Sequence, residues 1–222
     1  MQFGDELKSA IYQPWKEQYL DYSKLKNLLR ENENDKKPWT EDDETKFSDE
    51  MFNVQIEKVT AFQESTFKSL EQRATEIGAK PRDIAPEEGK ALGDIAKARF
   101  KDIVTELDKI SEETNELKKY SSINYTGFLK IVKKHDRKRG RNYKLRPMLQ
   151  ISLAKRPFNS EAAYIPLLNK LSTFYFVCRQ NLDEESTESV AGSEARSESR
   201  ASDKYTAYKC KTFTAFVSRF VI

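Results

Sequence analysis

Apolar positions along this chain recur at helical rather than strand spacing. Trp15, Tyr19, Tyr22, Leu25 and Leu29 fall at steps of three and four. That pattern predicts two short helices over residues 2–31, with Pro14 in the first turn of the second. Residues 32–42 read as a polar loop, in which Thr40 and Asp43 form an imperfect capping box for the next helix. Phe47, Met51, Val54, Val59, Phe62 and Leu70 mark one face of a long helix from about Asp43 to Ala79. Gly78 is expected to stop it, and Pro81 and Pro86 to punctuate the connection. Beyond, Ala96, Ile103, Ile110 and Leu117 recur every seven residues beside Phe100, Leu107 and Thr114. This coiled-coil-like seam predicts a second long helix, starting near Pro86 and paired antiparallel with the first. Residues 124–139 continue as helix, Arg146 and Pro147 mark a break, and a shorter helix follows over 147–155. A last helix is predicted over 160–181, carrying Ile165, Leu168, Leu171, Phe174 and Phe176.

The fold class that follows is all-α: two long antiparallel helices in a bundle, an N-terminal helical hairpin and shorter C-terminal helices, over residues 1–182. Residues 183–203, built from Ser, Glu, Ala and Arg, read as a disordered linker. Residues 204–222 are apolar enough to pack but stay an unassigned C-terminal tail. Composition agrees with long amphipathic helices: 34% of the 222 residues are charged and 37% hydrophobic, with 13 Phe and 10 Tyr. Only 7 Gly and 7 Pro occur, too few turn signals for an all-β fold.

Charge changes the picture. The net charge is only +3, but residues 121–146 hold nine Lys or Arg against one acid, Asp136, whereas 183–199 are acidic. Cys178 and Cys210 are far apart and match no metal spacing, which fits a reducing compartment. No stretch approaches the roughly 20 apolar residues that span a bilayer, and no signal peptide is evident, so a cytoplasmic domain is expected. Catalysis finds no support. His135 is the single histidine, and HExxH, GxGxxG, Walker and GxSxG patterns are absent. The reading is a non-enzyme with no catalytic residues, no cofactor and no metal.

The strongest chemical signal is Lys130, Lys133, Lys134 and Arg137. At about 100° per residue they share one helical face, opposite Phe128, Ile131, Val132 and His135. Like charges three and four apart cost a few tenths of a kcal/mol per pair, so such a face gains from an anion that neutralises it. A merely solvated basic face is an equal alternative on these grounds alone. Tyr22 and Lys26, four apart, offer a phenol and an ammonium, both donors to phosphate oxygens; most such pairs are surface decoration.

These residues resemble an SPX domain. The opening MQFG, Trp15-Lys16 and the stretch Tyr19 to Leu29 resemble its helical hairpin. Asn124-Tyr125-Thr126-Gly127-Phe128, with Lys130-Ile131 and Lys133-Lys134-His135-Asp136, resembles its lysine-rich helix. Arg156-Pro157-Phe158 resembles the segment before its last helix. The match runs over about residues 1–181, and the stretch Pro14 to Leu29 is most similar to SPX domains of fungal vacuolar transporter chaperone (polyphosphate polymerase) subunits. The resemblance implies a helical domain that binds inositol polyphosphates and pyrophosphates and reports phosphate status. It places ligand contacts on Tyr22, Lys26, Lys130, Lys133 and Lys134, and on Arg137 where the family has a further lysine. Arg keeps the charge with a different reach. Gln2, where the family often has Lys, is a further candidate through first-turn N–H groups, as are Phe3 and Lys138.

Together these readings give a phosphate-status sensor, expected to regulate polyphosphate synthesis within a vacuolar transporter chaperone complex. Its implied partners are inositol phosphates and other subunits of a vacuolar membrane complex, at the cytosolic face of the vacuole. The domain itself is not expected to span the membrane, nor to bind nucleic acid. Two rivals remain at this point. A nucleic-acid-binding helix would also be basic, but aromatics are not interleaved with these cations. A purely structural interaction module would leave the lysines incidental.

Overall fold

The computed structural model describes residues 7, 9–30, 38–84, 93–139, 144–156 and 161–183. Every regular element among them is helical. A 3-10 helix (Gln13–Gln18) leads to α1 (Tyr22–Leu28). Then come α2 (Glu41–Asp49), a π-helical stretch (Glu50–Gln55) and α3 (Ile56–Ile84) without interruption. The 46-residue α4 (Asp94–Arg139), α5 (Arg146–Ala154), a 3-10 turn (Glu161–Tyr164) and α6 (Ile165–Asp183) complete the order. The expected linker after Asp183, the tail 204–222 and Cys210 lie outside the described residues.

The chain forms two compact units, one from Met1–Ser69 with Glu116–Tyr164, the other from Leu70–Asn115 with Ile165–Ile222. In the first, Phe47 stacks on His135 with centroids 4.9 Å apart, and Phe62 meets Tyr120 at 5.2 Å. Sequence number rises on one side as it falls on the other, which is antiparallel pairing. Tyr120 is the hub of the core, fully buried, with Trp15 and Tyr19 rings also against it. Each such edge or tilted pair adds about 0.5–1.5 kcal/mol beyond area burial. Its hydroxyl donates to Gln18 O at 2.8 Å, and burial pushes the phenol's pKa well up. Below it, Tyr164 OH meets Gln63 Nε2 at 3.0 Å and Ser121 Oγ at 2.9 Å, so no buried hydroxyl there goes unmatched. In the second unit, Arg73 of α3 bridges Glu106 and Glu113 of α4 at 2.9 and 2.7 Å.

The seam holds. Phe100, Ile103, Leu107, Ile110, Thr114 and Leu117 are all buried. The capping box is present in both halves, Thr40 Oγ1 accepting from Asp43 N–H and Asp43 Oδ2 from Thr40 N–H. Four expectations shift, each for a physical reason. The helix expected to run through Trp15 to Leu29 breaks at 19–21, because Leu20 and Asp21 turn their N–H groups to side chains of other helices. The stripe on the first long helix is offset by the π-helical stretch, whose extra residue per turn buries Gln55 and Ile56 and leaves Val54 42% exposed. Gly78 does not end its helix. α3 continues past it and through Pro81 to Ile84. A Cβ on Gly78 would stand 2.1 Å from Phe174 Cε2, so glycine is there to admit the ring. Finally, α6 buries Leu167, Leu171 and Cys178, while Ile165 and Phe176 face outward.

Candidate functional site: a cationic helix end with the N-terminal hairpin tied to it

At seven residues α1 is too short to hold as an isolated helix. Its position is set at both ends by α4. At its start, Leu20 N–H donates to Asn124 Oδ1 at 2.8 Å, and Asn124 Nδ2 donates to Tyr120 O at 2.7 Å. Asp21 N–H goes to Gln55 Oε1 at 2.9 Å, and the Asp21 carboxylate caps α1 by accepting from Lys24 N–H. At its end, Arg30 turns into the left-handed region with φ 51°, a conformation that costs a non-glycine residue about 1 kcal/mol. Side chains of α4 hold that turn. Lys138 Nζ donates to Leu29 O at 3.2 Å and to Arg30 O at 2.7 Å, and Arg139 reaches Leu29 O at 3.3 Å. Cations on these carbonyls also complement the negative end of the α1 dipole.

The two anchors, Asn124 and Lys138, are separated by about 21 Å of helix. Between them on α4 lie Lys130, Lys133, Lys134 and Arg137; between the same two attachments on α1 lies Lys26. The inner face of this α4 segment is sealed, since Phe128, Ile131, Val132 and His135 are all buried. On the outer face Lys130, Lys133 and Arg137 are exposed and Lys134 is half-buried, as is Lys26. Tyr22 is only 6% exposed. Lys138 places its ammonium on the α1 carbonyls. Gln2 and Phe3 lie outside the described residues.

Asp136, the one acid in the basic stretch, is engaged by His135 and the start of α5. Its Oδ1 sits 2.9 Å from His135 Nδ1 and accepts Leu145 N–H at 3.0 Å, and its Oδ2 accepts Arg146 N–H at 3.2 Å. The carboxylate thus caps the start of α5, whose own N-cap residue makes no side-chain cap.

Sequence reasoning missed several residues around this end of the bundle. Arg139 stacks on Trp39 at 4.3 Å and Arg30 at 5.7 Å, two cation–π contacts on one indole. Arg30 also pairs with Asp43, whose pKa is lowered first by the Thr40 backbone N–H, then by the Thr40 hydroxyl and Arg30. Neither Trp39 nor Asn124 carries a sequence signal for these contacts, because their partners lie far away in the chain. Among the described residues, no cluster of His, Cys, Asp or Glu suits a metal ion, and no helix is long and apolar enough to cross a membrane.

Comparison with known proteins adds names to this geometry. No family model matches the chain. Vacuolar transporter chaperone complex subunit 2 of Schizosaccharomyces pombe is 36% identical over 182 residues, covering 82% of this chain and 24% of that protein. Subunit 4 of the same complex and organism is 31% identical over 213 residues, covering 92% and 28%. The chain therefore spans about a quarter of the length of these relatives. Among solved structures, the SPX domain of Chaetomium thermophilum glycerophosphodiester phosphodiesterase 1, in complex with inositol hexakisphosphate, superposes with a TM-score of 0.64 at 20% identity, covering 81% of this chain and 99% of that one. The chain has the fold of an SPX domain, and subunits of the vacuolar transporter chaperone complex are its homologues.

Proposed function

We propose that this domain is a non-catalytic receptor for inositol polyphosphates and pyrophosphates, and that Lys26 with Lys130, Lys133, Lys134 and Arg137 carries the binding. The observation that carries this reading is the pair of anchors. α1 is attached at both ends to the one segment of α4 that bears the cations. A ring with several phosphates can then engage ammonium groups from two chain regions at once through charge-assisted hydrogen bonds. Tyr22 joins them, its phenol being a donor to a phosphate oxygen. A solved neighbour of the same fold holds inositol hexakisphosphate, which favours this ligand class over nucleic acid.

Occupancy of the site reports phosphate status. Neutralising the lysine face changes which partner surfaces this end of the domain accepts. Homology to vacuolar transporter chaperone subunits points to regulation of polyphosphate synthesis as the output, with other subunits of that complex as partners at the cytosolic face of the vacuole. Titration calorimetry tests the binding step. The parent should bind inositol hexakisphosphate, and the triple variant K130A/K133A/K134A should not. Equal binding by both would remove the site assignment. Inorganic phosphate, engaging fewer cations at a time, should bind far more weakly.

A further inference from the structure

His135 is fully buried on the inner face of α4, directly behind the lysines, and both of its ring nitrogens face carboxylates. Nε2 is 2.9 Å from Glu44 Oε2 and Nδ1 is 2.9 Å from Asp136 Oδ1. A neutral imidazole has one N–H and can satisfy only one of these contacts. Each carboxylate oxygen involved already accepts from another obligate donor, Glu44 Oε2 from Trp39 Nε1–H at 2.9 Å and Asp136 Oδ1 from Leu145 N–H. Oxygens committed as acceptors call for a donor on the ring side too. Glu44 is itself buried and its Oε1 has no hydrogen-bond partner, so a cation opposite Oε2 offsets a desolvated carboxylate.

We propose that His135 is a positioning residue for the anion site, held as a doubly protonated ring that clamps α2, through Glu44, and the start of α5, through Asp136, to the back of the lysine-bearing helix face. The clamp fixes the rotation of α4 about its axis and so the direction in which Lys133, Lys134 and Arg137 project. The ring and its two carboxylates together then carry −1, where a neutral ring would leave them −2. This inference rests on the functional reading above.

The groups around the ring come from each packed element. Glu44 and the Phe47 ring come from α2, with Asp43 of the same helix paired to Arg30. Trp39, edge-on to the imidazole at 6.3 Å, carries the Arg30 and Arg139 guanidiniums. Asp136 comes from α4 itself, and the segment entering α5 supplies the Leu145 and Arg146 N–H groups.

Because His135 is the only histidine, its ring nitrogens can be read by magnetic resonance without ambiguity. The test takes the full chain at neutral pH. A nitrogen-15 spectrum of the imidazole should show a proton on both ring nitrogens; a bare nitrogen at either position overturns the proposal. The variant E44Q offers a neutral partner and removes the need for the second proton. It should show one protonated nitrogen, melt cooperatively, and weaken inositol hexakisphosphate binding by about two- to tenfold. Equal affinity in parent and E44Q overturns the positioning role even if both protons are seen. If the parent binds no inositol phosphate, the functional reading and the positioning role fall together, while the spectrum still decides the proton count.

Discussion

Leu20 and Asn124 are 104 positions apart, yet the backbone N–H of one donates to the side-chain oxygen of the other at 2.8 Å, in a buried setting. With the Asp21 N–H bond to Gln55, this bond separates the 3-10 turn from the start of α1. Asn124 satisfies the Leu20 donor and the Tyr120 carbonyl with its two ends, so no apolar replacement can do its work.

Replacing Asn124 by Leu keeps the volume and removes both bonds. With the Leu20 N–H left buried and unmatched, the variant should lose about 1–3 kcal/mol of stability, measured by urea denaturation. It should also weaken binding of inositol hexakisphosphate, although Asn124 carries no charge. Unchanged affinity would mean that the hairpin's position is irrelevant to the site.

Lys138 should behave differently from its neighbours on α4. Its ammonium caps α1, so K138A should lower thermal stability and loosen α1, seen as faster amide exchange over residues 22–30. K133A and R137A, on the exposed face, should leave stability within about 0.5 kcal/mol while reducing ligand affinity. Affinity loss in those variants should diminish at high salt, where exposed charges are screened.

Gly78 gives a prediction within the second unit. In the parent, G78A forces the Phe174 ring out of its place and should cost about 1–3 kcal/mol, as overpacking does. With Phe174 already changed to Ala, the same substitution should stabilise by up to about 1 kcal/mol through helix propensity alone. A double-mutant cycle by denaturation reads the difference, and additivity of the two changes would refute the close approach.

Acid sensitivity follows from the carboxylates held low in the fold. The Arg156 guanidinium lowers the Glu57 pKa, and the Thr40 backbone and hydroxyl, with Arg30, lower that of Asp43. A depressed folded pKa means the unfolded chain takes up protons first. The stabilising contribution is then complete above the ordinary carboxylate range, near 4, and disappears as pH falls through the lower folded values. The melting temperature should drop on acidification through that window, and T40A/D43N should flatten the drop.

Much of this fold can be read from local pattern. The heptad-spaced seam, the Thr40–Asp43 cap and the division of residues 128–137 into a buried and a cationic face depend on neighbours in sequence, and all three are found as expected. What escaped depends on distant partners. Gly78 looks like a helix stop until Phe174 is known to pass over it. The π-helical offset at Glu50–Gln55 leaves no mark in a periodicity of 3.6. Asp136 reads as a lone acid amid lysines, whereas the fold spends it on His135 and the start of α5. The burial of Tyr22 likewise shows only in the folded chain.

The central claim is that α1 and the end of α4 form one binding surface. Amide chemical shifts followed during titration with inositol hexakisphosphate test it most directly. Signals from residues 22–30 and 124–139 should move together and fit a single dissociation constant. Movement confined to α4, two unrelated constants, or no movement in either segment would contradict the account.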